Sequence, residues 1–283
     1  NAMRYLPLTD EDRATMLEKI GVDSVDALFE DVPEKARLDG PVDLPRHKSE
    51  MEVERLLTQM SRKNIAASEA PFFVGAGAYK HHIPSSVDHL IQRSEYLTSY
   101  TPYQPEVAQG RLEALLNYQQ MVLDLTGLDL ANASLLDEGT AAAEAMTLCK
   151  RMAKAKKANV FLIDKNVHPQ SISVIETRAE PLGYEVIVGD LNELVDQHEY
   201  FGVLAQYPGT EGEINNYAEL IEKVHAKKAL FCAAADIMSL VLLKSPGELG
   251  ADVVFGSAQR FGVPMGFGGP HAAFFATRDA YKR

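Results

Sequence analysis

Four consecutive apolar residues followed by an aspartate, Val160-Phe161-Leu162-Ile163-Asp164, decide the fold class of this chain. A continuous apolar run of this length predicts a strand that is covered on both faces. A predicted helix, His168–Arg178, comes next, and a second apolar run, Tyr184–Val188, follows it. Strands that alternate with helices indicate a mostly parallel sheet between two layers of helices.

The same alternation extends along most of the chain. Further strands are predicted at Ala131–Leu136, Phe201–Ala205, Leu230–Ala234, Asp252–Phe255 and Ala272–Ala276. Further helices are predicted at residues 85–97, 105–126, 139–157 and 217–226. The sequence therefore predicts a three-layer α/β/α domain over residues 66–283, and ligands in such sheets bind beyond the carboxyl ends of the strands.

Residues 1–65 carry helical signals and no strand pattern, and they predict a helical arm. Two capping boxes, Thr9 with Asp12 and Ser49 with Glu52, mark helix starts. We interpret residues 1–2 as a cloning scar before the native start. The arm has too few apolar residues for a core of its own, so we expect it to pack on the main domain or on a partner.

Composition excludes several classes of protein. The 283 residues include 28 basic and 40 acidic side chains, so the net charge is 28 − 40 = −12, which argues against nucleic-acid binding. Two cysteines, Cys149 and Cys232, make no disulfide framework and fit a reducing compartment. No apolar run reaches about 18 residues, the length a membrane span needs. We therefore expect a cytoplasmic protein, and we expect no metal site because the neighbouring histidines 81, 82 and 89 lack further ligands.

Two polar segments are candidate binding elements. Residues 98–106 combine prolines with Tyr100, Thr101, Tyr103 and Gln104 just before a predicted helix. Such a rigid polar loop suits a small polar substrate, and an equally good interpretation is a helix entry stiffened by proline. Residues 137–141, which include Thr140, lie between a strand and a helix and could hold a phosphate on backbone N–H groups. The two acids in that segment favour an ordinary helix start instead.

Three further positions match the pattern of a pyridoxal phosphate enzyme without its lysine. In such an enzyme a ring at the position of His168 stacks on the pyridine, and a carboxylate at that of Asp236 holds the ring nitrogen. The alternative interpretation is a helix cap and a turn residue. The lysine that binds the cofactor would follow the strand at residues 252–255, but after Lys244 the sequence contains only Lys282. Without an amine there, no Schiff base forms.

Three longer segments carry a resemblance to a known family. The chain resembles the N-terminal half, or separate first subunit, of glycine dehydrogenase (decarboxylating), the P-protein of the glycine cleavage system. The segments are Tyr100–Glu106 with Gln109-Gly110-Arg111, Ser245–Asp252 and Gly262–His271. The resemblance implies a fold-type I pyridoxal phosphate transferase domain and two related halves, of which only the other holds the cofactor covalently. Alignment on Pro264 puts Gln259 at the lysine position.

The resemblance also implies a reaction and its partners. With the lysine-bearing subunit, in a heterotetramer, this chain would serve the decarboxylation of glycine and the transfer of the aminomethyl group to the lipoyl carrier, H-protein. Tyr100, Thr101, Tyr103 and Gln104 would lie near the site or the interface, while Thr140, His168, Asp236 and Gln259 would be vestigial cofactor positions. The family's small C-terminal domain is expected to be absent. The alternatives are a silent scaffold or regulatory protein, and the isolated chain could form a homodimer.

Overall fold

The computed structural model describes residues 8–40, 42–73, 75–96, 100–266 and 269–282. The chain divides into two units, Asn1–Asn64 and Ile65–Arg283. None of the helices in these described ranges is long and apolar enough to cross a membrane.

The first unit contains two α-helices, α1 (Asp10–Ile20) and α2 (Glu50–Ser61). The structure confirms both predicted capping boxes, at Thr9 and at Ser49. Short 3-10 turns lie between the helices, at Asp26–Phe29 and Glu34–Ala36. No described residue of this unit is buried within the chain.

The second unit is built on a seven-stranded sheet. Its strands are β1 (Leu130–Ala131), β2 (Val160–Asp164), β3 (Glu185–Gly189), β4 (Tyr200–Tyr207), β5 (Leu230–Ala235), β6 (Val253–Ser257) and β7 (Ala273–Thr277). The spatial order is β1-β7-β6-β5-β4-β2-β3. The five strands from β2 to β6 are mutually parallel, whereas β7 pairs with β6, and β1 with β7, in antiparallel fashion.

Helices cover both faces of the sheet. They are α4 (Gln109–Thr126), α5 (Glu138–Met152), α6 (Pro169–Leu182), α7 (Leu191–Gln197), α8 (Ala218–Ala226) and α9 (Pro246–Leu249). Helix α3 (Ser85–Ile91) precedes them and has no buried residue. Buried residues of α5 and α6 form one apolar core, and those of α4, α7 and α8 form the other. The apolar side chains of β2, β4 and β5 divide between the two cores, so the predicted three-layer α/β/α architecture is confirmed.

Several element boundaries differ from prediction. The predicted strand Ala131–Leu136 is wrong in length: β1 ends at Ala131, and Leu135 makes only an isolated bridge to Ala273. Between them the Asn132 side chain donates to the Ser134 carbonyl at 3.3 Å, and such local bonds compete with strand pairing.

Three helices are shorter than predicted. Helix α3 ends at Ile91 (the predicted end, Leu97, lies outside the described residues), and α4 starts at Gln109 because residues 104–108 form a turn. Helix α5 ends at Met152, because the next backbone N–H groups, of Lys154 and Ala155, donate to the Lys228 carbonyl. A tertiary contact thus replaces the last predicted turns of that helix.

Candidate functional site

Three of the predicted cofactor positions lie around one cavity at the carboxyl edge of the sheet. His168 follows β2, Asp236 follows β5 and Gln259 follows β6. These strands are parallel, so their carboxyl ends lie on the same edge, where α/β proteins bind ligands. Other side chains that line the cavity are Tyr79, Glu138, Gln206 and Arg260.

Asp236 forms an ion pair with Arg260 inside this cavity. Arg260 donates from Nε to Asp236 Oδ1 at 3.0 Å and from Nη2 to Oδ2 at 2.9 Å. The Met238 backbone N–H donates to Oδ1 at 3.2 Å. The side chains of Asp236 and Arg260 are only 15% and 16% exposed, so water screens their attraction little. The carboxylate is therefore neutralised by a residue of this chain.

Tyr79 lies between Arg260 and His168. The Arg260 guanidinium is 4.8 Å from the centre of the Tyr79 ring, a distance typical of a cation–π contact. The Tyr79 hydroxyl is 3.4 Å from His168 Nε2, and burial raises the pKa of this tyrosine. Tyr79 therefore stays protonated and can donate to the histidine.

The hydrogen-bond network fixes the tautomer of His168. Its Nδ1 is 2.9 Å from the Thr210 hydroxyl, and that hydroxyl donates its own proton to the Asn166 carbonyl at 2.8 Å. His168 Nδ1 must therefore donate, and Nε2 accepts from Tyr79. Burial lowers the pKa of His168, which favours this neutral form.

A second carboxyl group, that of Glu138, faces the same cavity. Part of the residue is exposed, but the carboxyl group is turned inward, and its Oε1 accepts from Gln206 Nε2 at 3.3 Å. The pKa of Glu138 is raised to about 7, mainly by burial and also by the charge on Asp236, while the hydrogen bonds from the Gln206 side chain and the Ser257 backbone oppose the rise. Near neutral pH this carboxyl group is therefore protonated in a large fraction of molecules.

Gln259 is buried and holds two segments together. Its Nε2 donates to the Pro270 carbonyl at 3.0 Å, and its backbone N–H donates to Ser257 Oγ at 3.2 Å. The side chain thus connects the end of β6 to the end of the glycine-rich segment that follows. An amide in this place cannot act as the nucleophilic amine that a Schiff base requires.

Thr140 lies in the first turn of α5 and does not line the cavity. Its backbone N–H donates to Asp137 Oδ1 at 2.6 Å, so Asp137 caps the helix. The acidic side chains of Asp137 and Glu138 both lie at this helix start. A phosphate bound at this helix start would need hydrogen-bond donors and no negative charge nearby. The two carboxyl side chains lie where that phosphate would bind.

The predicted substrate loop lies at the surface. Tyr100 and Tyr103 are 97% and 87% exposed, and Thr101 and Gln104 are exposed as well. Arg111 donates to the Tyr100 carbonyl at 3.0 Å, which ties the loop to α4. Among the described residues, none of these four lines the cavity around Asp236.

Sequence reasoning did not find Tyr79, Glu138 or Arg260 as site residues. Tyr79 follows a tight turn, Gly75–Ala78, whose Gly77 has φ +90° and approaches the His168 ring closely. Arg260 directly follows Gln259, the position where the family resemblance places the lysine. A positively charged side chain next to that position was the signal in the sequence that could have identified Arg260. Glu138 could also have been identified from the sequence. It is an acidic residue at the start of a helix, in the segment that was considered as a phosphate site.

Solved structures place the fold in the class of pyridoxal phosphate enzymes of fold-type I. The apo structure of a cysteine desulfurase from Thermococcus onnurineus NA1 superposes with a TM-score of 0.57 over 79% of this chain and 57% of its own, at 14% identity. A crystal structure of glycine decarboxylase (P-protein) of the glycine cleavage system, in inhibitor-bound form, gives a TM-score of 0.84 at 38% identity. That superposition covers 99% of this chain and 64% of the solved one.

The sequence then identifies the family. The family described as "Glycine cleavage system P-protein" matches residues 3–283, and the chain belongs to it. It is 52% identical over 282 residues to glycine dehydrogenase (decarboxylating) of Stutzerimonas stutzeri, and 51% identical over 279 residues to that of Idiomarina loihiensis. The matches cover 99% and 98% of this chain but only 29% and 28% of those relatives, so the chain spans less than a third of their length.

The family and its structural neighbours depend on pyridoxal phosphate, but the residues of this cavity do not fit the cofactor. Gln259 supplies no amine, and Arg260 engages both oxygens of Asp236. The cavity has a volume of about 10 Å³, which is room for about one water molecule. No chemical step of the cofactor can therefore be assigned to this site.

Proposed function

We propose that this chain is part of the non-lysine half of a glycine decarboxylase. It would serve the decarboxylation of glycine and the transfer of the aminomethyl group to the lipoyl carrier, H-protein. The observation that carries this proposal is that Gln259, an amide at the position where the family resemblance places the lysine, lines one cavity with His168 and Asp236. A domain that keeps the architecture but has no nucleophile needs a partner that supplies the lysine and holds the cofactor covalently.

Exposed apolar side chains beside the cavity support a partner at this edge of the sheet. Met238, Val241 and Leu242 follow Asp236 and are 53%, 70% and 89% exposed, and Phe261 follows Arg260 and is 37% exposed. We call these four residues the apolar rim. Both of its segments begin at the Asp236–Arg260 ion pair, so they lie together. Exposed apolar groups that cluster next to a site are typical of an interface, and we assign this one to the lysine-bearing half.

Tyr100, Thr101, Tyr103 and Gln104 have the right chemistry to complete that partner's site. Their hydroxyl and amide groups are solvent-exposed within this chain, which leaves them available to a partner loop or to the carboxylate of glycine. The bond from Arg111 and the prolines of the loop limit its mobility. We propose that these four residues act across the interface, in a cytoplasmic heterotetramer.

Reconstitution tests the proposal directly. This chain is mixed with the remainder of the Stutzerimonas stutzeri relative, from which the matched portion has been deleted, together with H-protein and pyridoxal phosphate. Exchange between bicarbonate and the carboxyl carbon of glycine is expected only when both pieces are present. The proposal is wrong if the remainder is fully active alone, or if the isolated chain turns yellow with pyridoxal phosphate and is trapped by borohydride.

A single substitution in the same assay examines the loop. Tyr103→Phe removes one exposed hydroxyl and should lower the exchange rate or raise the KM for glycine without changing the melting temperature. Tyr96→Phe removes another exposed tyrosine hydroxyl, outside the loop, and serves as the matched control. Equal kinetics for both variants and the unmodified chain would remove Tyr103 from the site.

A further inference from the structure

Two side chains of the cavity, Arg260 and Tyr79, connect Asp236 to His168. In this class of enzyme a carboxylate holds the ring nitrogen and a histidine or aromatic ring stacks on the ring. Asp236 and His168 have those positions, and Arg260 and Tyr79 lie between them: Arg260 Nη2 is 2.9 Å from Asp236 Oδ2, and the Tyr79 hydroxyl is 3.4 Å from His168 Nε2. The contact between Arg260 and the Tyr79 ring completes a continuous row of four side chains.

The charge of this row matches that of a bound cofactor ring. A protonated pyridine nitrogen offers one positive N–H group to a carboxylate. The Arg260 guanidinium offers a positive charge that does not titrate, and two N–H groups to both oxygens of Asp236. A largely buried carboxylate without a partner is destabilising, and Arg260 supplies that partner to Asp236.

Arg260 also connects three chain segments that are distant in sequence. Its own segment follows β6, and its ion pair holds the segment that starts at Asp236 after β5. Its Nη1 donates to the Lys80 carbonyl at 3.4 Å, and its guanidinium packs on Tyr79, so the turn at residues 75–80 is held as well. Among the contacts described for Arg260, each connects it to one of these segments.

We propose that Arg260 takes the place of the cofactor ring in this chain and, as a positioning residue, holds these three segments in one arrangement. The apolar rim then keeps one fixed shape without any cofactor. Phe261 directly follows Arg260, and Met238 lies two residues after Asp236, so the ion pair positions both. This inference concerns the isolated chain. Its test needs no partner, so its failure is distinguishable from failure of the proposed function.

Hydrogen exchange on the isolated chain measures the effect. In Arg260→Ala the backbone N–H groups of Met238 and Ala78, which are bonded to Asp236 Oδ1 and to the Gly75 carbonyl, are expected to exchange at least about tenfold faster. Arg178→Ala removes an exposed partner of Glu144 and should leave these two amides unchanged. The proposal is overturned if Arg260→Ala also leaves both amides unchanged.

Chemical rescue separates a specific guanidinium site from general loosening. Ethylguanidinium should restore slow exchange at Met238 and Ala78 in Arg260→Ala, whereas tetramethylammonium at the same concentration should not. Equal effects of the two cations would contradict the proposal.

A second variant keeps the test decisive if Arg260→Ala does not fold. Asp236→Asn preserves the shape of the side chain but removes the charge that Arg260 pairs with, and it should release the Ala78 amide even though it does not touch that turn. Protection of Ala78 that persists in Asp236→Asn would show that the segments are not connected through the ion pair.

Discussion

At the scale of single residues, the buried carboxyl group of Glu138 makes stability depend on pH. Its carboxyl group lies near the negative Asp236 and accepts one hydrogen bond from the Gln206 side chain and one from the Ser257 backbone. Arg260 pairs with both oxygens of Asp236. Two hydrogen bonds compensate the buried charge of Glu138 only in part, so burial still favours its protonated form.

The pKa of Glu138 predicts a defined pH dependence. The folded-state pKa of about 7 exceeds the usual value of 4.5, so the folded state binds the proton more tightly. The resulting stabilisation is fully present below pH 4.5 and is lost as the pH rises through 7. Glu138→Gln mimics the protonated form, so its free energy of unfolding relative to the unmodified chain should rise by up to about 3 kcal/mol between pH 5 and pH 8.

Urea unfolding of both proteins at a series of pH values provides the measurement. Comparing the two proteins cancels the contributions of His168 and other groups that titrate in the same range. Glu144→Gln removes a carboxylate from the same helix, on a side chain that is 44% exposed, and is the matched control for the substitution itself. A difference between Glu138→Gln and the unmodified chain that stays constant across the range would contradict the prediction.

The sequence indicated some site residues and could not indicate others, for a physical reason. His168, Asp236 and Gln259 each lie within a few residues after the end of an apolar strand, so the strand pattern alone assigns them to one edge of the sheet. Tyr79 reaches that edge from a turn outside any strand, and its place depends on the close approach of Gly77 to His168. A local sequence pattern cannot predict a contact between residues this far apart in the chain. The same holds for the pairing of Arg260 with Asp236, which are separated by 24 residues.

Among the elements, strands β2, β4, β5 and β6 were predictable because burial on both faces imposes a continuous apolar run. The direction of β7 could not be predicted, because an antiparallel strand near the sheet edge can contain the same residues as a parallel one. Helix ends also escaped prediction where a tertiary bond decided them, as at the Lys228 carbonyl beyond α5. The periodicity of apolar residues thus predicts which segments form the strands and helices of each layer. Tertiary contacts decide at which residue a helix or strand ends.

The contact between β5 and β6 predicts a sensitive position at Gly256. A Cβ atom there would lie 2.0 Å from the Ala235 carbonyl oxygen and 2.9 Å from the Phe274 ring. Backbone and a buried ring cannot both move aside, so Gly256→Ala should lower the free energy of unfolding by about 3 kcal/mol. It should also displace Gln259 and Arg260, which follow directly after this strand.

Thermal and urea unfolding measure this effect against a matched substitution. Gly110→Ala places the same methyl group in α4, where nothing lies within 4 Å, and should stabilise the chain by about 0.5 kcal/mol. Similar stabilities for the two variants would show that the strands can separate to admit the methyl group.

For the molecule as a whole, the exposed apolar rim and the filled cavity point to the same conclusion. The side chains around Asp236 leave a cavity of only about 10 Å³. Met238, Val241 and Leu242 remain exposed next to it, although Leu240 between them is buried and anchors the segment. A segment that is anchored and still exposes three large apolar groups has the properties of a preformed protein interface.

Leu242→Asp tests whether the rim binds the lysine-bearing half. The side chain is 89% exposed, so the substitution should leave the melting temperature of the isolated chain unchanged. In the complex it would place an uncompensated charge against apolar groups, and we expect the Kd for the remainder of a P-protein relative to rise by at least about tenfold. Leu182→Asp changes a 50% exposed leucine at the end of α6 and is the control. Calorimetric titration that gives equal Kd values for both variants would place the interface elsewhere on the domain.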